Sequence, residues 1–105
     1  FIPDLGAMLA LIEKSAGRKP DVIIGKPYRE IAEYLIERTG VPREKIAMIG
    51  DRLYTDVATG VNNGMISVLV LSGETKREQL SGSTIQPDLV ASGVDELCRI
   101  LTREA

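Results

Sequence analysis

The sequence predicts an α/β fold, a partial doubly wound core in which helices flank a parallel sheet. Three observations predict it. Short apolar runs of three to six residues alternate with stretches of helical period, the pattern of βαβ units. Gly, Pro and Asn punctuate nearly every junction. The length, 105 residues and 11.4 kDa, suits a single domain spanning 1–105. A compact chain of that mass exposes ~5,800 Å² against ~16,500 Å² unfolded, so roughly 65% of its surface would be buried in one core.

Residues 4–16 carry Leu5, Met8, Leu9, Leu11 and Ile12 on broadly one helical face, and Gly17 stops the helix. Val22-Ile23-Ile24, between Pro20 and Gly25, reads as a short buried strand or extended segment. Residues 28–39 form a helix with Ile31, Ala32, Leu35 and Ile36 inward, closed by Gly40. Ile46-Ala47-Met48-Ile49 is wholly apolar, as a strand covered on both faces would be. Residues 55–63 form a short helix ending at Asn63-Gly64. Ile66 to Leu71 is the clearest strand, and residues 74–87 hold at most one helical turn. Asp88 to Ala91 is a last strand. Ser92-Gly93-Val94-Asp95 resembles a shortened-acid capping box opening a helix through about Leu101.

Composition removes several function classes. Hydrophobic residues make up 44% and charged residues 27%, so the chain is globular rather than disordered. A net charge of −2 gives no electrostatic footprint for nucleic acid or an anionic membrane. No apolar stretch is long enough to span a bilayer, and the first residues lack a basic n-region. The chain has no histidine, which excludes Ser-His and Cys-His couples and imidazole-based zinc. Its one cysteine, Cys98, excludes an internal disulfide, fits a reducing cytoplasm and reads as a buried or half-buried structural thiol. The start at Phe1 reads as the interior of a longer protein.

In parallel sheets, ligands sit beyond the carboxyl ends of the strands. The residues there are Gly25-Lys26-Pro27, Gly50-Asp51-Arg52, Ser72-Gly73-Glu74-Thr75 and Ser92-Gly93. The strongest group is Gly50-Asp51-Arg52-Leu53-Tyr54-Thr55-Asp56. Gly50 lets the backbone turn, Asp51 projects at the sheet edge, and Asp56 follows as a helix begins. Two carboxylates on one turn suit a hard cation that keeps several waters, as Mg²⁺ does. Asp56 alone could equally be a first-turn acid favoured by the helix dipole, whereas Asp51, directly after an apolar strand, needs a partner. Lys26 can balance a phosphate or a carboxylate, although a solvated lysine before a Pro-started helix has the same letters. Arg52 and Tyr54 are candidates for the site's edge.

The order of these groups resembles the haloacid dehalogenase (HAD) superfamily of phosphohydrolases, within it the NagD-like, p-nitrophenylphosphatase-type branch. The stretches that carry the resemblance are GRKPDVIIGKP and GDRLYTD, and it runs from Ile2 to about Leu97. It implies a partial HAD-like Rossmannoid core and Mg²⁺-dependent hydrolysis of phosphorylated small molecules through an aspartyl-phosphate. By it, Lys26 is the lysine that neutralises the aspartyl-phosphate, Asp51 a Mg²⁺ ligand and Asp56 the second acid of the metal site. Gly50 and Arg52 would lie against substrate.

The family's nucleophile belongs to an Asp-x-Asp motif, and no Asp-x-Asp occurs in this chain. The second, Ser/Thr-bearing motif and the substrate-selecting cap are also missing. The chain therefore reads as the C-terminal part of such a core, inactive alone. It is expected as a dimer or in association with the missing N-terminal half, which would pair with the strand at 46–49. The alternatives are a non-catalytic folding or interaction fragment, or a receiver-like phosphoacceptor domain. The receiver lacks its early acidic pair here, and Lys26 precedes Asp51 rather than following the last strand. A dinucleotide-binding reading fails for want of G-x-G-x-x-G.

Overall fold

Three short β-rich segments pair as expected. In the computed structural model, which describes residues 2–103, β1 (Ala47–Gly50), β2 (Ile66–Val70) and β3 (Leu89–Ala91) form one all-parallel sheet in the order β1-β2-β3. The reading of Phe1 as an interior start lies outside those residues. Gly50 stands opposite Leu69, and Val70 opposite Ala91, so the carboxyl ends of all three strands share one edge.

Among the described residues there are four α-helices, α1 (Leu5–Ala16), α2 (Arg29–Thr39), α3 (Ala58–Asn62) and α4 (Val94–Arg103), of which α3 and α4 pack on the strands. Gly17 and Gly40 close α1 and α2 in the left-handed conformation that glycine adopts at little cost. α3 follows directly on a π turn, Leu53–Val57. Gly60 of α3 lies so close to β2 that a Cβ there would meet the Ser67 Cβ at 2.8 Å. Asp88 sets the β2–β3 register, its carboxylate accepting from the Ser67 N–H at 2.8 Å and hydroxyl at 3.0 Å. Arg43 joins α2 to the end of α3, donating to Glu33 and to the Asn63 carbonyl.

The core lies on the two faces of β2. Val68 and Val70 pack with Ala91 and Leu97 on one side, and Leu69 packs with Leu53 and Val57 on the other. Away from β2, burial thins to single residues such as Ala32 of α2. No residue of α1 is buried, and Met8, Leu11 and Ile12 each expose more than half their surface. The accessible surface is 7839 Å², roughly 2,000 Å² above that of a compact chain of this mass. The radius of gyration, 16.1 Å, likewise exceeds the ~13 Å of a compact 105-residue domain.

Several local expectations are corrected. Val22–Ile24 forms no strand: it finds no neighbour to pair with, and Val22 and Ile24 are exposed. β1 is not covered on both faces; it is an edge strand with Ala47 and Ile49 exposed. Cys98 is exposed because α4 turns Leu97, the adjacent position, toward the sheet instead. The acid that completes the α4 start is Glu96 rather than Asp95: its carboxylate accepts from the Ser92 N–H, the position from which the longer side chain reaches back.

Candidate active site

The two carboxylates reach the sheet edge by different routes. Asp51 immediately follows β1. One oxygen of its side chain accepts from the Glu74 N–H at 2.8 Å, and its main-chain carbonyl accepts from the Thr75 N–H at 3.0 Å. Both donors belong to the loop after β2. That loop can approach because residue 73 is glycine: a Cβ there would overlap the Asp51 side chain. The Glu74 N–H, reinforced by the positive charges of Arg52 and Lys26, holds the Asp51 carboxyl below the usual carboxylate range against a smaller opposing desolvation.

Asp56 is buried, with 5% of its surface exposed. The π turn explains how an acid five residues after Asp51 turns inward. The Arg52 carbonyl accepts from the Val57 N–H and the Leu53 carbonyl from the Ala58 N–H, each five residues on. The widened turn brings Leu53, Asp56 and Val57 inward together. Leu53 and Val57 join the core, while Asp56 fills the space where a Cβ of Gly50 would stand. Gly50 has no positive φ, so the expected backbone turn is not why glycine is needed; room for Asp56 is. The Lys26 ammonium contacts Asp56 Oδ1, which gives the buried carboxylate its counter-charge.

The expected edge residues, Arg52 and Tyr54, both meet Glu74. The Arg52 guanidinium pairs with one carboxylate oxygen, and the Tyr54 hydroxyl donates to the other at 2.9 Å. These contacts with Glu74 push the arginine and the phenol each above its usual range. Arg52 also lines an open cleft of about 680 Å³ together with Lys26, Thr55, Leu5, Leu9 and Ile23. The Thr55 hydroxyl is sealed from solvent and has no hydrogen-bond partner among the described residues. Gly73, Glu74 and Thr55 had no assigned role in the sequence. The available signal was a charged residue beside glycine just after the clearest strand.

A signature described as HAD-hydrolase-like matches residues 23–97, most of the chain and all of this site. The chain belongs to the HAD-hydrolase-like family. Several of its relatives carry phosphatase names. It is 34% identical over 101 residues to phosphoglycolate phosphatase 2 of Arabidopsis thaliana, covering 94% of this chain and 33% of that protein. It is 33% identical over 97 residues to the ribonucleotide monophosphatase NagD of Escherichia coli, covering 92% and 38%. The crystal structure of the Thermotoga maritima 4-nitrophenylphosphatase superposes with a TM-score of 0.86 at 49% identity, over 93% of this chain and 38% of that one. The chain thus spans about a third of the length of these relatives and falls in the NagD and nitrophenylphosphatase branch.

As a metal site, the donors fit in type. Asp51 and Asp56 offer hard carboxylate oxygens at one edge, and each contact given above occupies only one of them. Mg²⁺ is often held by one or two carboxylates plus water. No cluster of three or more acidic or thiol side chains forms among the described residues, so the site as it stands is a two-carboxylate one.

The Asp51 geometry has a measurable consequence. The folded state favours the ionised form, so Asp51 contributes stability above the ordinary carboxylate range and loses it as pH falls through its lowered value. Carbon-detected titration of the Asp51 carboxyl should give a midpoint below the ordinary 3.8. Gly73→Ala, which displaces the carboxylate from the Glu74 amide, should return it toward that value. A wild-type midpoint at or above 3.8 would contradict the arrangement.

Proposed function

We propose that this chain is the C-terminal part of the core domain of a phosphatase that hydrolyses phosphate monoesters of small molecules through an aspartyl-phosphate, and that it supplies the lysine and the metal-binding acids. The observation that carries this reading is that Lys26 pairs with Asp56, that Asp56 packs against Gly50 beside Asp51, and that the Lys26 charge reaches Asp51. The names of the relatives support the reaction class.

Each residue has a role its surroundings suit. Asp51, kept ionised by the Glu74 N–H, and Asp56 would hold Mg²⁺. When bound, Mg²⁺ supplies Lewis acidity and a template for in-line transfer. Lys26, half exposed with its ammonium on Asp56, would present positive charge to the phosphoryl group. Arg52, on the cleft wall, would extend that charge toward substrate. Gly50 keeps the space between the strand end and Asp56 clear for this packing. A cytoplasmic setting suits an exposed free thiol at Cys98. No described helix is long and apolar enough to cross a membrane.

The reading divides labour between this chain and further polypeptide. A lysine and two metal ligands form no covalent intermediate. With p-nitrophenyl phosphate and Mg²⁺, the isolated chain should show only background hydrolysis. Turnover that Asp51→Asn abolishes would reveal a nucleophile outside this account.

The same division predicts association. Among the described residues β1 carries an unpaired edge beside exposed Ile49, and α1 exposes apolar surface; such edges and patches template pairing. The isolated chain should elute as a dimer or larger species in size-exclusion chromatography with light scattering, unless the rest of a parent protein covers it. A monomer at high concentration with cooperative unfolding would contradict this.

A further inference from the structure

Glu74 is connected to the proposed metal site twice over. Its main-chain N–H donates to the Asp51 carboxylate at 2.8 Å. Its side chain binds Arg52 and Tyr54, one and three residues beyond Asp51 on the opposing loop. The next residue, Thr75, closes the same two loops by donating to the Asp51 carbonyl at 3.0 Å. Gly73, just before, lies against the Asp51 side chain at a distance that any Cβ would forbid. The loop after β2 is thus held onto the loop after β1 on three successive residues.

We propose that Glu74 is a positioning residue for Asp51: its carboxylate, tied to Arg52 and Tyr54, holds its own amide in place to orient the acid toward the cation. This rests on the reading of Asp51 as a metal ligand. The side chain does not touch the metal position; it acts through the main chain it carries. The carboxylate suits the task chemically. It offers one oxygen to the guanidinium and the other to the phenol, and both partners stand on the turn that begins with Asp51. An apolar residue at 74 would keep the amide but lose both anchors, leaving the loop free to separate from Asp51. Each contact alone is a weak, half-exposed one. Their value lies in limiting where the amide can go, as partners behind a metal ligand do.

The test uses the 105-residue chain with Glu74→Ala and Glu74→Gln, read in two ways. Hydrogen–deuterium exchange by mass spectrometry follows peptides spanning residues 72–76, and electron paramagnetic resonance of free Mn²⁺ measures cation binding. Glu74→Ala should raise exchange in that loop about tenfold and weaken Mn²⁺ binding about threefold to tenfold. Glu74→Gln, which keeps an acceptor for Tyr54, should fall between. The urea midpoint should stay near wild type, since surface substitutions are usually mild. A role in the fold alone would instead lower the midpoint and speed exchange throughout the chain, which would overturn the proposal. So would wild-type exchange at 72–76 in Glu74→Ala, or wild-type Mn²⁺ affinity where wild type binds. If neither protein binds Mn²⁺ but loop exchange still rises, Glu74 anchors the loop against Asp51 and the metal reading is what fails.

Discussion

The contact between Lys26 and Asp56 is the interaction on which the rest of the site depends. A carboxylate with 5% of its surface exposed needs a counter-charge. The only cation contacting it among the described residues comes from the segment ahead of α2. That segment is otherwise sparsely attached: Val22 and Ile24 are exposed, and α1 buries no residue. The ion pair therefore fastens the N-terminal arm to the sheet edge. It is worth less than the ~3–5 kcal/mol lost on breaking a fully buried pair, because the Lys26 side chain is 44% exposed. Its main effect is geometric. It brings an ammonium to the edge where Asp51 stands, and it requires Gly50 and the π turn to make room for Asp56.

The order of elements was legible because it rests on local signals. Apolar runs at 46–49, 66–71 and 88–91 became the three strands within a residue or two, and Gly17 and Gly40 ended helices where they should. Lys26, Asp51 and Asp56 stood out because charged residues directly after or near apolar strands require a reason. What the letters did not disclose was longer in range. The π turn has no composition signature; it follows from packing Leu53 and Val57 against Leu69 while Asp56 turns to Lys26. Gly73 and Glu74 matter through a loop twenty-odd residues away in sequence. Cys98 and Val22–Ile24 were apolar enough to read as buried, but burial needs a neighbour, and β2 holds nearly all of the core.

That concentration of the core explains the shape. β2 is sandwiched between two clusters, whereas β1, its neighbour at the site, is bare along one edge. An accessible surface of 7839 Å² leaves roughly 2,000 Å² more exposed than a compact chain would, on the scale of a large protein interface. Part of the exposed surface lies beside the site: α1 lines the same cleft as Lys26 and Arg52.

The most direct test replaces the matching 38% of the Thermotoga maritima 4-nitrophenylphosphatase with this chain and measures hydrolysis of p-nitrophenyl phosphate. At 49% identity and a TM-score of 0.86, the exchange should fold. The chimera should turn over, Asp51→Asn within it should abolish activity without loss of fold, and Lys26→Ala should abolish activity while loosening the arm that the ion pair fastens. A folded chimera whose turnover is indifferent to Lys26 and Asp51 would contradict the assignment of these residues to the catalytic edge.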